Sequence, residues 1–383
     1  MVRIASVSAL ALITAAGAQA QEPIESEQES FSVTQLGSGL DNPWALAFVP
    51  SGEMLVTERP GSLRVIEADG SLRATEVTGL PDDILYSRQG GLLEVALSPD
   101  FGETRHIYFT YAEGTEDANR TVLARGVLSD DLSALSDVED LWGVNFEKAG
   151  GFHYGGRILF NDDGTLFVTL GDGGRYTEES QNNENHIGTI VRLNMDGSAA
   201  DGNPEFENGA PGIYSYGHRN AQGIDRNPET GSVLSIEHGP RGGDELNIIE
   251  PGSNYGWPVI SYGINYSGTL LTDQREAEGM AQPNFYWVPS IAPASLRFYT
   301  GEMFPAWQGD LFVPALAGLT LQRLEMDGDR VISVEDLLND RDERYRDVRV
   351  GPDGALYVVV DGPDSYVLRL NHELTQREEE FDG

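Results

Sequence analysis

Cysteine is absent from all 383 residues. That absence removes disulfides, thiolate-held zinc and cysteine nucleophiles, even though an exported protein would have been free to form disulfides. Packing and bound ions are left to hold the fold. Basic charge is scarce as well: 25 Lys and Arg stand against 62 Asp and Glu, a net charge of −37, and Lys148 is the sole lysine. Nucleic acid and anionic lipid both need a basic surface, so neither is expected as a partner. A hydrated acidic surface suited to salty surroundings accounts for the excess. Long apolar runs are missing except at the start, where Arg3 precedes an apolar stretch from Ile4 to Ala16 and then Ala18-Gln19-Ala20. This is the pattern of a signal peptide over residues 1–20. It is shorter than the roughly 20 residues a spanning helix needs, so the mature chain is expected in the periplasm or secreted, without a membrane span. Helical periodicity is almost absent after it.

What the chain does contain is a repeat. A Pro-x-Gly or Asp-x-Gly turn, an apolar run, a short loop and a second apolar run recur. The copies fall at 50–57 with 62–66, 99–111 with 122–127, 162–169 with 190–194, 228–235 with 245–249, 309–313 with 321–324, and 352–359 with 366–370. Glycine supplies the positive φ of each tight turn, and β-branched and aromatic residues supply the strands. Six such units predict an all-β, six-bladed β-propeller, since blades of four strands around a channel use this many residues without helices. The propeller is expected over 31–372, after a flexible segment at 21–30 and before an acidic tail at 373–383. Phe31-Ser-Val-Thr-Gln-Leu36 is expected to close the ring against a C-terminal strand. A β-sandwich pair or a β-helix is the alternative architecture, and a seventh blade hidden in 254–286 the alternative count. Long inserts after Asp172 and after Gly256 interrupt the repeat, and inserts of this kind sit on one face and build the site.

Three stretches place polar, glycine-rich sequence where the repeat would be apolar: Gly151-Phe-His-Tyr-Gly-Gly156, Tyr216-Gly-His-Arg-Asn-Ala-Gln-Gly223 and Glu237-His-Gly-Pro-Arg-Gly-Gly-Asp-Glu245. Glycines around a histidine or arginine let backbone approach a ligand closely. Trp44, Trp142, Trp257 and Trp307 are expected as blade core, and His106, His186 and His218 lack metal-ligand spacing.

Taken with Asn42-Pro-Trp-Ala-Leu-Ala-Phe48, Gln89-Gly-Gly-Leu-Leu93, Asn254-Tyr-Gly-Trp-Pro258 and Arg344-Tyr-Arg-Asp-Val348, these stretches resemble the soluble glucose and aldose sugar dehydrogenases that use pyrroloquinoline quinone (PQQ). The resemblance runs from about Leu36 to Leu370 and implies the same six-bladed propeller. It implies that His153 is the general base that takes the C1 hydroxyl proton of an aldose as hydride leaves for the quinone, a task suited to imidazole. Gln89 falls where the family holds sugar hydroxyls, and Phe152 where some members carry aspartate. PQQ bears three carboxylates, which arginine pairs bidentately; Arg219, Asn220, Arg344 and Arg346 fall on the cofactor-binding positions. Calcium (Ca2+) is implied twice: as a Lewis acid on the quinone, held by main-chain carbonyls at Gly239 and Pro240, and as a structural ion at Glu245 and Tyr255. One departure stands. Where the family has a cofactor-binding lysine this chain has Ala317, and an arginine such as Arg323 is the candidate replacement. An external electron acceptor is implied, and a monomer and a homodimer both stay open. A calcium-dependent propeller lactonase and a non-catalytic propeller remain the rival functions.

Overall fold

The computed structural model describes residues 23–373. The stretch 1–20, expected as a signal peptide, and the part of the expected acidic tail beyond Glu373 lie outside these residues. Six antiparallel sheets follow one another along the chain. The first, Pro43–Phe48, Met54–Glu58 and Ser62–Ile66, has three strands. The next four have four strands each and start at Leu92–Leu97, Ile158–Phe160, Ala221–Arg226 and Arg297–Phe298. The sixth begins with Tyr345–Val350, Leu356–Val360 and Ser365–His372, and its outer strand is Ser30–Leu40 from the opposite end of the chain. Phe31 pairs with His372 and Leu36 with Val367, so the ring is closed by main-chain hydrogen bonds as expected. The molecule is a six-bladed propeller. The stretch 254–286 forms no seventh sheet; it feeds Phe285–Trp287, the outer strand of the fourth blade.

Burial explains why each strand has its composition. The second strands Met54–Glu58, Thr165–Thr169, Val233–Glu237 and Leu356–Val360 are buried at every position. They pack against a neighbouring blade on both faces and therefore read as unbroken apolar runs rather than alternating ones. Arg330–Leu337, at the rim of the fifth blade, alternates between exposed and half-buried instead, the mark of one wet face. The repeated turn joins the first strand to the second. Gly52 takes φ +107° and Gly354 φ +80°, backbone that an L side chain rarely adopts.

The segment expected to be flexible at 21–30 is built into the structure from Ile24 onward. Ile24–Glu25 pairs with Ser30 and Phe31, and Ser26 Oγ accepts the Glu29 N–H at 2.9 Å to close the turn. Arg323 anchors it by reaching Gln28 Oε1 at 3.2 Å and Glu27 at 3.5 Å. Among the described residues no helix is long and apolar enough to cross a membrane.

A buried arginine stands in the central channel. Arg157 Nε donates to the Gln222 carbonyl at 2.9 Å, and Nη2 donates to the carbonyls of Ala294 at 2.8 Å and Arg346 at 3.1 Å. Its Nη1 lies 3.1 Å from Glu94 and 3.2 Å from Asp347, and the guanidinium packs 3.8 Å from the Trp44 ring centre. Arg349 bridges the same two carboxylates from below, at 2.7 Å and 2.8 Å. Replacing Arg157 by Met leaves Glu94 and Asp347 buried with half their countercharge and leaves three carbonyls without a donor. We expect a loss of about 3–5 kcal/mol, read as a lower urea midpoint at unchanged slope; an unchanged midpoint would refute the role assigned to this network.

Candidate functional site

The face that carries chemistry is set by strand direction. In an antiparallel blade the first strand begins where the second ends, opposite the repeated turn, and there a cavity of about 390 Å³ opens over the channel. Second strands deliver Arg59, His238 and Asp361 to it; the starts of first strands deliver Trp44, Asn220, Gln222, Arg344 and Arg346. Gln89, Tyr154 and Gly155 come from the loops that lead into the second and third blades.

His153 is bound to this wall through its main chain, its N–H donating to Gln89 Oε1 at 2.8 Å. Its φ of +52° is in the left-handed region, strain that a β-carbon-bearing residue adopts only where the surroundings enforce it. Gly171 accommodates it: a Cβ there would stand 2.4 Å from the His153 carbonyl oxygen. The ring is held as firmly. Nδ1 lies 2.5 Å from Asp172 Oδ1, and Asp172, fully buried, also accepts the Gly174 N–H at 2.6 Å and the Trp257 indole N–H at 2.8 Å. With Nδ1–H donated to the carboxylate, Nε2 keeps its lone pair. Burial pushes the His153 pKa below the ordinary imidazole value against the opposing pull of Asp172. Burial would raise the Asp172 pKa, but the histidine contact and the Arg219 charge outweigh it and hold that carboxyl ionised. The pair is therefore a neutral imidazole backed by a carboxylate, the protonation state of a general base.

Positive charge gathers on the other side of the cavity. Arg344 donates to the Leu316 carbonyl at 3.0 Å and to Asp361 Oδ2 at 3.1 Å, and Arg346 lies 3.5 Å from the same oxygen. Burial lowers the Arg346 pKa to about 10, with Arg59, Arg157 and Arg344 adding to the effect and Asp361 opposing it. Three polar atoms bordering the cavity are buried without a partner: Arg59 Nε, Arg346 Nε and Asp361 Oδ1. Four guanidinium groups, those of Arg59, Arg88, Arg344 and Arg346, against the one carboxylate of Asp361 fit an anionic ligand, and the unpartnered N–H groups mark where it would bond.

Arg219 does not line this cavity but the space beside it, which shares His238 with it. Its Nη1 donates to the carbonyls of His238 at 2.9 Å and Gly239 at 2.7 Å, and its guanidinium lies 5.2 Å from the Trp257 ring centre. It borders a second, narrow void of about 10 Å³, lined also by Gly239, Glu237, Glu245 and Tyr255. Gly239, expected at one calcium, and Glu245 and Tyr255, expected at another, line this same small void, while Pro240 does not. Burial and the nearby Glu237 carboxylate raise the Glu245 pKa well above its usual range. The Asn247 amide, at 3.1 Å and 3.3 Å, joins the two. Like charges crowded against a void fit a divalent cation. Among the described residues no three His, Asp or Glu side chains could hold a metal by themselves, so main-chain carbonyls would have to complete the shell. The Gly239 carbonyl accepts one Arg219 N–H and keeps a second lone pair.

Phe152 lies at the rim, partly exposed, with the Arg88 guanidinium 5.3 Å from its ring centre. Ala317 is exposed beside Leu316 and contributes its main-chain N–H to the Ile291 carbonyl. Arg323 does not replace the missing lysine: it is buried against Asp310 at 2.7 Å and Glu335 at 2.8 Å, inside the fifth blade. Trp44 and Trp257, expected as blade core, are buried yet belong to the site. Sequence reasoning also missed Asp172, Arg59, His238 and Asp361. All four stand where an apolar second strand ends in a polar residue, in Val-Thr-Leu-Gly-Asp172, Val-Thr-Glu-Arg59, Ser-Ile-Glu-His238 and Val-Val-Val-Asp361, and that recurring position is the signal that would have found them.

Residues 40–369 match the family model for glucose/sorbosone dehydrogenase. The chain is 41% identical over 346 residues to the aldose sugar dehydrogenase YliI of Escherichia coli, covering 89% of this chain and 92% of the relative. The crystal structure of the soluble aldose sugar dehydrogenase of Escherichia coli in its apo form superposes with a TM-score of 0.86 at 40% identity, over 90% of this chain and 100% of that one. The PQQ-bound aldose sugar dehydrogenase of Streptomyces coelicolor gives 0.72 at 28% identity, over 90% and 98%.

Histidine NMR titration should place the His153 pKa below the ordinary value of about 6.5. In Asp172→Asn it should fall further, because the carboxylate is the group that raises it. A neutral imidazole favoured by the fold contributes stability above pH ~6.5 that is lost as pH falls toward the folded pKa. Titration at or above 6.5 would rule out the resting neutral state.

Proposed function

The chain belongs to the glucose/sorbosone dehydrogenase family, and from that premise we propose that it oxidises the C1 hydroxyl of aldose sugars to aldonolactones, with PQQ as hydride acceptor. The observation that carries this proposal is the Asp172-backed imidazole beside a cavity lined by Arg59, Arg344 and Arg346. When bound, PQQ with calcium supplies a two-electron acceptor and a Lewis acid for its carbonyl. The protein's share is to bind, orient and move a proton. Arg344 and Arg346 hold carboxylates, and Asn220 meets the cofactor on the wall between them and His153. Gln89 fixes the His153 main chain and offers its amide to sugar hydroxyls, with Phe152 against the sugar ring. His153 Nε2 accepts the C1 hydroxyl proton, while Asp172 holds the ring and stabilises the imidazolium that forms. The carbonyls of Gly239 and Pro240 would hold the catalytic calcium, and Glu245 with the main chain near Tyr255 the structural one. Electrons leave to an external acceptor, and the signal-peptide pattern of 1–20 supports a periplasmic or secreted location. Asp361 is the one acidic residue lining the cavity, which suits a basic anion site better than the carboxylate cage of a lactonase.

Apo protein reconstituted with PQQ and calcium should reduce a dye in the presence of aldoses. His153→Gln should lower kcat by about 10²–10⁴-fold, the usual share of general-base catalysis. No dye reduction with any aldose, or full activity in the variant, would overturn the assignment.

Calcium should raise the Tm of the quinone-free protein, because an ion bound only by the native state stabilises it by mass action. Glu245→Gln should remove the share of that rise that belongs to the structural ion; an equal rise in the variant would show that Glu245 holds no calcium.

A further inference from the structure

We propose that Arg59 is a third guanidinium ligand for the carboxylates of the cofactor, completing with Arg344 and Arg346 the positive wall to which Ala317 adds no charge. The assignment rests on the functional proposal above and goes beyond it in naming a residue that no sequence motif singled out. Arg59 follows the second strand of the first blade and lines the same cavity as Arg344 and Arg346. In a chain with 62 acidic residues, most arginines of the described residues have a carboxylate within ion-pair distance; of the four that line the cavity Arg59 and Arg88 have none, and Arg88 packs over the Phe152 ring at the rim. The Arg59 guanidinium is fixed all the same. Nη1 donates to the Arg88 carbonyl, Nη2 to Asn42 Oδ1 at 3.0 Å, and the Tyr86 ring centre lies 5.8 Å away. Neutral acceptors hold the group in place without cancelling its charge, and Nε is buried with no partner. A positioned, uncompensated guanidinium with an unused N–H is prepared to receive an anion, and its planar fork suits a carboxylate. Its charge is felt across the cavity, where it lowers the pKa of Asp361 after Arg346 and Arg344.

The test is absorbance titration of the apo protein with PQQ at fixed calcium, comparing wild type, Arg59→Ala, Arg59→Lys and, as a distant control, Arg330→Ala on the exposed outer edge of the fifth blade. We expect the dissociation constant to rise about 10–100-fold in Arg59→Ala, the range for a charge-assisted hydrogen bond. Arg59→Lys should recover part of the loss and the control should bind as wild type. The apo Tm of Arg59→Ala should stay within a few degrees of wild type, and the KM for sugar at saturating quinone within about twofold; a purely structural role would move both. Wild-type affinity in Arg59→Ala, or a loss that lysine does not ease and that tracks a fall in Tm, overturns the assignment. If the wild-type protein takes up no quinone, the functional proposal fails instead, and this inference with it.

Discussion

One guanidinium group holds the centre of this molecule. Arg157 comes from the third blade and touches Trp44 of the first, Glu94 of the second, Gln222 of the fourth, Ala294 on the way into the fifth, and Arg346 and Asp347 of the sixth. No apolar side chain could do the same. The inner strands turn main-chain carbonyls toward the channel, and buried carbonyls without donors each cost about 1–3 kcal/mol. Burying an ion pair is itself costly, yet Arg157 and Arg349 against Glu94 and Asp347 sum to zero charge. What such a cluster adds is registry. Six sheets that could slide against one another meet at one atom group whose hydrogen bonds form in one arrangement.

The candidate site stands directly on that hub. Arg346 gives its carbonyl to Arg157 and its side chain to the cavity; Gln222 does likewise. Trp44 packs on Arg157 and lines the cavity as well. The charges that would grip a cofactor are thus referenced to the same point that sets blade spacing, and the ring closure between Ser30–Leu40 and Ser365–His372 keeps that point from opening. A net charge of −37 makes the arrangement necessary. A polyanionic ligand approaching so acidic a chain is repelled unless its pocket is locally positive, and Arg59, Arg88, Arg344 and Arg346 are concentrated where Asp361 alone opposes them.

The fold was legible in the sequence because its signal is repeated. A turn glycine before an unbroken apolar run appears once per blade, and each occurrence corroborates the others. Side-chain partnerships have no such redundancy. Gln89, Asn220, Arg344 and Arg346 were reached through resemblance and line one cavity, and His153, reached the same way, is bonded to Gln89 beside it. Arg219, two residues from Gln222, faces the neighbouring void because its guanidinium found the His238 and Gly239 carbonyls first. Arg323 looked available on charge alone; its strand places it among Asp310 and Glu335. Asp172 escaped notice since its partner, His153, is 19 residues earlier and on a different loop. Ile24–Glu25 was missed for a similar reason, its anchor Arg323 being nearly 300 residues away.

The local strain at His153 follows from what the imidazole must do. To present Nε2 as a base it must be neutral, which burial favours, and it must be held in one tautomer, which requires a carboxylate at Nδ1. These demands conflict, because a bare carboxylate beside an imidazole raises its pKa and burial lowers it. The structure meets both by dividing the Asp172 charge among Trp257, Gly174 and His153, so that no single donor takes all of it. Reaching Asp172 while bonding Gln89 through its own N–H goes with a left-handed backbone at His153, and Gly171 makes room for its carbonyl. The glycine-rich loop is thus the consequence of placing one neutral, oriented imidazole against a buried acid.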